Sequence, residues 1–171
     1  LRMVSGSVRS VPPQPVPAGA MSAYVRDGRP GVVLVGSHVA TSSRQLETLI
    51  EQTAVIPIEI DLDTLVQDEE RLFHDLIDRL EIAQREGQSA VLYTSRGERR
   101  FPTTAERLAF GERVSGFLVR IVQSLPRDIG FLISKGGITS NDTLSQGLAL
   151  RTARVLGQIH PGCSVVRCPA D

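Results

Sequence analysis

The hydrophobic positions of this chain alternate between short β-branched runs and longer stretches with helical spacing. The run from Gly31 to Val35 is apolar, and Leu46, Leu49 and Ile50 then recur at the spacing of one helix face. The same alternation predicts strands at 31–35, 56–60, 90–93 and 129–133, helices at 41–52, 63–86, 104–124 and 140–150, and short strands at 153–159 and 164–168. Strands joined by crossover helices form parallel sheets, so we predict an α/β fold, a three-layer sandwich with a mostly parallel sheet.

Helix boundary residues support this pattern. Thr103 and Glu106 have the spacing of a capping box, which indicates a helix start at Thr104. Gly87 is a suitable C-terminal stop for the long helix before it, and Ser140 is a suitable N-cap for the last one.

The first part of the chain has a different composition. Pro12, Pro13, Pro15 and Pro17 lie among small residues, which favours extended chain over a packed core. We therefore divide the chain into a Pro-rich linker and lead-in at 1–29 and an α/β domain at 30–171. Because the chain opens on a linker and does not begin with Met, we expect it to be a fragment.

Charge and composition exclude several classes of protein. Lys plus Arg and Asp plus Glu both total 19, so no net charge attracts nucleic acid or an anionic membrane. No apolar run approaches the roughly 20 residues that span a bilayer, and the start lacks a secretory signal, so we expect a cytoplasmic protein. Cys163 and Cys168 lack the partners of a zinc site, and we interpret them as buried or incidental thiols, with no metal site.

Candidate chemistry lies in the loops that follow the predicted strands. Ligands of open α/β sheets bind beyond the C-terminal strand ends, and the loops 36–38, 94–97 and 134–142 are all rich in Gly, Ser and Thr. In the third loop Gly136 and Gly137 let backbone amides approach a ligand, and the hydroxyls of Thr139 and Ser140 can donate hydrogen bonds, which suits a phosphate. The alternative is that this loop is only a tight turn with an N-cap.

Five further residues complete the candidate set. Ser37 is a candidate ligand-binding hydroxyl, and His38, Arg96, Lys135 and Asp142 are secondary candidates. Arg96 and Lys135 can bind phosphate, and Asp142 can orient a magnesium-bound water or simply favour its helix dipole. The sequence lacks both the P-loop and the dinucleotide-binding glycine motif, and it has no nucleophile elbow.

Three ordered segments resemble a known family. VVLVGSHVATSSRQLETLI, YTSRGE, and FLISKGGITSNDTLSQGL followed by ARVLGQIHPG are similar to the C-terminal nucleotide-binding domain of the four-carbon acid sugar kinases. The resemblance implies that Ser37 and the glycine pair contact ATP, with Mg²⁺ as the accompanying ion. It also implies that a third nucleotide-contacting segment lies beyond Asp171, and that an upstream domain holds the sugar acid and the catalytic base. On that basis we expect this chain alone to be inactive.

Two alternatives stay open. The loops also suit a non-catalytic module that binds a nucleotide or sugar phosphate, and they suit an isomerase-like sugar-phosphate domain. The sequence identifies neither the sugar acid nor a catalytic residue. It is compatible with a homo-oligomer and does not fix the oligomeric state.

Overall fold

The computed structural model describes residues 17–97, 99–160 and 163–167 of the chain. The described residues form two units, one spanning Val25–Leu150 and one combining residues 17–24 with those after position 150. Most of the predicted linker lies outside the described residues. Its last part, Ala18–Tyr24, forms a 3-10 helix, and Arg26–Gly28 forms a second short one.

The larger unit contains a sheet of four parallel strands. These are β1 (Val32–Val35), β2 (Ile56–Ile60), β3 (Ala90–Thr94) and β4 (Leu132–Lys135). Their order in the sheet is β2-β3-β1-β4, with Val32 of β1 aligned to Ala90 on one side and Leu132 on the other. The β-branched and leucine side chains of β1 and β3 are almost fully buried, as expected for central parallel strands.

Helices cover both faces of this sheet unequally. They are α1 (Ala40–Gln52), α2 (Leu62–Gln67), α3 (Glu69–Arg85), α4 (Thr104–Gln123) and α5 (Gly137–Asp142). Val33 and Val35 pack with Leu46 of α1 on one face. Val32 and Leu34 pack on the other face, in a larger core with α2, α3 and α4. The predicted three-layer α/β sandwich is confirmed.

Two predicted boundary signals have the expected geometry. The Thr103 hydroxyl accepts from the amide of Glu106, and the Glu106 carboxylate accepts from the amide of Thr103. Gly87 follows α3 with a φ of 72°, a conformation that favours glycine.

The single long helix predicted at 63–86 is wrong, because it is two helices that break at Asp68. Asp68 has φ −153° and ψ 79°, which are not helical angles. Its carboxylate accepts from the amide of Arg71 and starts α3, while its own amide ends α2 on the carbonyl of Thr64. An N-cap aspartate inside a helical hydrophobic pattern therefore marks a boundary.

The predicted fourth strand starts three residues too early. The amide of Ile129 donates to the carbonyl of Pro126 in a turn, and the amide of Gly130 donates to the carbonyl of Pro30. A Cβ on Gly130 would overlap the Arg29 carbonyl. This close approach holds 129–130 against the chain before β1, so the regular ladder begins only at Leu132.

The last predicted helix also differs. Gly136 occupies the N-cap position and α5 begins at Gly137, so Ser140 lies inside the helix and is not its N-cap. The Ser140 hydroxyl donates to the carbonyl of Ser134 at 3.1 Å. After Asp142 the helix widens into a π-helical turn, Thr143–Gly147, in which Gly147 lies so close to Val122 that there is no room for a side chain.

The two short strands predicted near the end are present and pair with each other. β5 (Arg154–His160) and β6 (Cys163–Arg167) form an antiparallel pair with two register irregularities. Cys163 is exposed, so of the two alternatives, buried or incidental, the first is wrong for this thiol, and Cys168 lies outside the described residues. Among the residues described here, no helix is both long and apolar enough to cross a membrane.

Candidate functional site

The C-terminal ends of β1, β3 and β4 meet at one edge of the sheet because the strands are parallel. From β1 the chain passes to α1 on one face, whereas from β3 it passes to α4 on the opposite face. Divergence of this kind opens a crevice between neighbouring loops, where open α/β sheets bind ligands. The candidate site therefore lies around the end of β1.

On the β4 side of β1, Gly136 allows two loops to come together. Its φ of 117° is open to glycine and strained for other residues. A Cβ at Gly136 would lie 3.3 Å from the Cβ of Ser37 and 3.4 Å from the hydroxyl oxygen of Thr139. A Cβ at Gly36 would overlap that same hydroxyl. The structure thus places Ser37 beside Gly136 and Thr139, although Ser37 comes from a distant part of the chain.

Ser37 is also held by the first turn of α1. The hydroxyl of Ser42 donates to the hydroxyl oxygen of Ser37 at 3.2 Å, and Ser42 is 2% exposed. Sequence reasoning missed Ser42. Its only signal was the Thr-Ser-Ser run that follows the loop, which also fits an ordinary helix start.

On the β3 side of β1, His38 reaches the last residue of β3. Its Nε2 atom lies 3.0 Å from the hydroxyl oxygen of Thr94, which is fully buried. His38 is exposed as a residue, but partial desolvation of its ring, together with the nearby positive charge of Arg96, lowers its pKa, so the neutral imidazole is favoured. Thr94 was a second residue that the sequence did not single out, because a strand-terminal threonine is common.

Arg96 links the loop after β3 to the loop after β1. Its Nη1 atom donates to the backbone carbonyl of Ser37. The Nε and Nη2 atoms are buried and meet no acceptor among the residues that the structure describes. The guanidinium lies 6.0 Å from the ring centre of Tyr93, and desolvation lowers its pKa below the usual arginine value.

The surroundings of the remaining predicted residues Gly137, Lys135 and Asp142 differ from one another. Around Gly137 a Cβ would meet nothing within 4 Å, so the start of α5 faces open space. Lys135 is exposed at the end of β4. The Asp142 carboxylate accepts from Ser115 of α4 and, more weakly, from Gln146. That contact turns Asp142 toward α4.

The loop after β3 carries three arginines, Arg96, Arg99 and Arg100, which do not converge on one point. Arg99 pairs with Asp63 of α2 and lies 4.7 Å from the ring centre of Phe110. Arg100 is exposed. Of these three arginines, Arg96 lies against the loop 36–38 after β1, which we call the Ser37 loop.

The candidate site is an open edge and not an enclosed cavity. A depression of about 340 Å³ lies on α1, lined by Thr41, Arg44, Gln45 and Thr48, and includes none of the candidate site residues. A second depression, of about 520 Å³, lies among residues that include Arg29, Gln84 and Asp128, none of them at the strand ends described above. A ligand at the edge must be held by the loops themselves.

Comparison with known proteins adds to this geometry. A family model described as "nucleotide-binding C-terminal domain" matches residues 32–171. A crystal structure of a domain of unknown function (DUF1537) from Bordetella bronchiseptica, a domain-swapped dimer with bound citrate, superposes with a TM-score of 0.53 at 18% identity. The match covers 79% of this chain and 32% of that one, so this chain spans about a third of the length of that protein. No curated protein matches the chain. Because the family model covers most of the chain, this protein belongs to the nucleotide-binding C-terminal domain family, as its three motifs predicted.

Proposed function

We propose that this chain binds ATP at the edge of the sheet, as the nucleotide-binding part of a kinase that phosphorylates a four-carbon sugar acid. The observation that carries the proposal is the contact between the Ser37 loop and the turn at Gly136, which joins β4 to α5 and which we call the Gly136 turn. Two strand-end loops meet there with only the small side chains of Ser37 and Thr139 at the contact, and the surroundings of Gly137, at the start of α5, are open. Backbone amides and hydroxyls in such a turn suit a polyphosphate.

In this proposal each residue has a limited task. Gly136 and Gly137 bring the backbone close to the phosphates, and Ser37 and Thr139 supply hydroxyls beside it. Ser140 stabilises the turn through its bond to Ser134 and is not a direct donor from its hydroxyl in this arrangement. Phosphoryl transfer depends mainly on positioning, so one domain can hold the nucleotide while another presents the acceptor hydroxyl.

Magnesium commonly accompanies ATP and binds through phosphates plus one or two carboxylates. Asp142 was the candidate for orienting a magnesium-bound water. Its carboxylate accepts hydrogen bonds from Ser115, Asn141 and Gln146, and its role beside a magnesium ion stays a prediction. The sugar acid, the catalytic base and any upstream domain remain parts of the proposal that concern the whole kinase.

Calorimetric titration tests the nucleotide site. The chain is titrated with ATP plus Mg²⁺, with ADP, and with several sugar phosphates. We expect adenine nucleotides to bind and sugar phosphates to bind more weakly. A preference for a sugar phosphate would contradict the kinase proposal and favour an isomerase-like or sugar-phosphate-binding domain.

A glycine substitution locates the binding. We expect Gly137→Val to abolish ATP binding and to leave the fold intact, because the branched side chain occupies open space in front of the turn. Gly111→Val is a matched control, since Gly111 is a helical glycine in α4 that also has open surroundings. Equal ATP affinity in Gly137→Val and Gly111→Val would place the nucleotide elsewhere.

A further inference from the structure

Arg96 presents two different edges to its surroundings. Its Nη1 atom is used, because it donates to the carbonyl of Ser37. Its Nε and Nη2 atoms are buried without an acceptor among the described residues. In a planar guanidinium, Nε–H and one N–H of Nη2 point the same way and form a fork that matches two oxygens of one phosphate or carboxylate. The free donors of Arg96 are therefore one complete bidentate edge.

Leaving this edge unpaired is unfavourable. A buried donor without an acceptor costs free energy, and a charged donor costs more than a neutral one. Desolvation is the main reason for the lowered pKa of Arg96. No carboxylate described in the structure forms an ion pair with it, although Glu47 and Glu59 lie near enough to favour its positive charge. An anionic ligand that displaced the groups covering this edge would supply the missing acceptor.

The position of Arg96 indicates which part of a nucleotide reaches it. Arg96 follows β3, whereas Gly136 follows β4, and these strands flank β1 on opposite sides. Ser37 touches both, through its carbonyl to Arg96 and through its Cβ to the Gly136 turn. A phosphate chain that enters at the Gly136 turn and extends across the end of β1 meets Arg96 last.

We propose that the Nε–Nη2 edge of Arg96 is a second anion subsite, which binds the terminal phosphate of a nucleoside triphosphate and so distinguishes it from a diphosphate. This inference rests on the proposed function, because it assumes that the nucleotide enters at the Gly136 turn. Arg96 therefore has two roles in this arrangement. One edge positions Ser37 and the other selects the ligand.

The test compares ATP and ADP affinity by calorimetry in the whole chain, at one fixed salt concentration. In the wild type we expect ATP to bind more tightly than ADP. A bidentate charge-assisted pair corresponds to about a tenfold preference. In Arg96→Gln we expect the ratio of ATP to ADP affinity to fall to near one.

Arg96→Lys separates charge and loop order from the bidentate edge. Lysine keeps the charge and can reach the Ser37 carbonyl, but it lacks the fork. We expect the affinity ratio in Arg96→Lys also to fall, to a value between those of wild type and Arg96→Gln. Arg100→Gln is the matched control, because it removes the same charge from an exposed position in the same loop, and its ratio should equal that of wild type.

The outcomes distinguish this inference from the proposed function. If the wild type binds neither nucleotide, the proposed function and the inference both fail. If it binds ATP and ADP equally, or if Arg96→Lys weakens both ligands by the same factor, the nucleotide site stands and the terminal-phosphate subsite is overturned. A lowered ratio in both Arg96 variants, with Arg100→Gln unchanged, supports the subsite.

Discussion

The Nε2 atom of His38 lies 3.0 Å from the hydroxyl oxygen of Thr94, which joins the loop after β1 to the last residue of β3. The polar neighbour of this imidazole ring is Thr94, and its charged neighbour is Arg96. Partial desolvation of the ring is the larger cause of the lowered pKa of His38, and the positive charge of Arg96 adds to it. The neutral ring can accept a hydrogen bond from the Thr94 hydroxyl or donate one to its oxygen, according to the tautomer.

This contact predicts a pH dependence of stability. The folded-state pKa of His38 lies below the ordinary value of 6.5, so the unfolded state binds the proton more readily. The contribution of His38 is therefore present above pH 6.5 and is lost as the pH falls toward the folded-state pKa. We expect the free energy of unfolding, measured in urea, to fall less between about pH 7 and pH 5.5 in His38→Asn than in wild type.

His74→Asn provides the comparison, because His74 lies on α3 and makes no side-chain hydrogen bond among the described residues, whereas His38 contacts Thr94. It should retain the decline seen in wild type. Identical slopes in wild type and His38→Asn would contradict the lowered pKa of His38.

Gly136→Ala should destabilise the domain. An alanine at φ 117° is strained, and its Cβ would press on Ser37, so we expect a loss of about 1 to 3 kcal/mol in the free energy of unfolding. Gly137→Ala is the matched variant, with open surroundings and no left-handed φ. It should stay within about 1 kcal/mol of wild type. Equal losses in the two variants would contradict the left-handed conformation of Gly136.

Gly147 and Val122 should be energetically coupled. A Cβ at Gly147 would lie 2.6 Å from Cγ1 and 2.9 Å from Cβ of the buried Val122. We expect Gly147→Ala to cost about 1 to 3 kcal/mol through overpacking. In a Val122→Ala background the same change should cost less, because the overlapping methyl group is gone. A double-mutant cycle from denaturation curves measures this coupling, and an additive cycle would rule it out.

Thr103→Ala should weaken the start of α4. It removes the hydroxyl that accepts from the amide of Glu106, and loss of such a cap costs about 1 kcal/mol. Thr104→Ala, one residue further on and inside the helix, tests a threonine for which no capping bond is found among the described contacts. We expect thermal denaturation to show a lower midpoint for Thr103→Ala only.

Much of the fold follows from local sequence. Periodicity located the strands because β1 and β3 are continuous apolar runs, and the Thr103 and Glu106 pair located the start of α4 to the residue. Asp68 was missed because the hydrophobic spacing continues on both sides of it. The helix break depends on its side chain capping α3, which periodicity does not register.

The candidate site could be predicted only in part from the sequence. Ligands bind beyond the ends of parallel strands, and this rule predicts Ser37, Gly136 and Arg96 as site residues from the sequence. Their contacts depend on strand order, which places β1 between β3 and β4. Sequence alone does not give that order, so the role of Ser42 and the two edges of Arg96 became visible only in the fold.

The thin layer formed by α1 has a consequence for local motion. This helix buries Ser42 and Leu46, whereas α3 on the opposite face buries four apolar side chains. Elements with few buried contacts open before the rest of a domain unfolds. Because Ser42 bonds to Ser37, each detachment of α1 also frees the loop that meets the proposed nucleotide. Amide hydrogen exchange in Ala40–Gln52 should then be faster than in α3, and a bound nucleotide would slow it by keeping the helix docked.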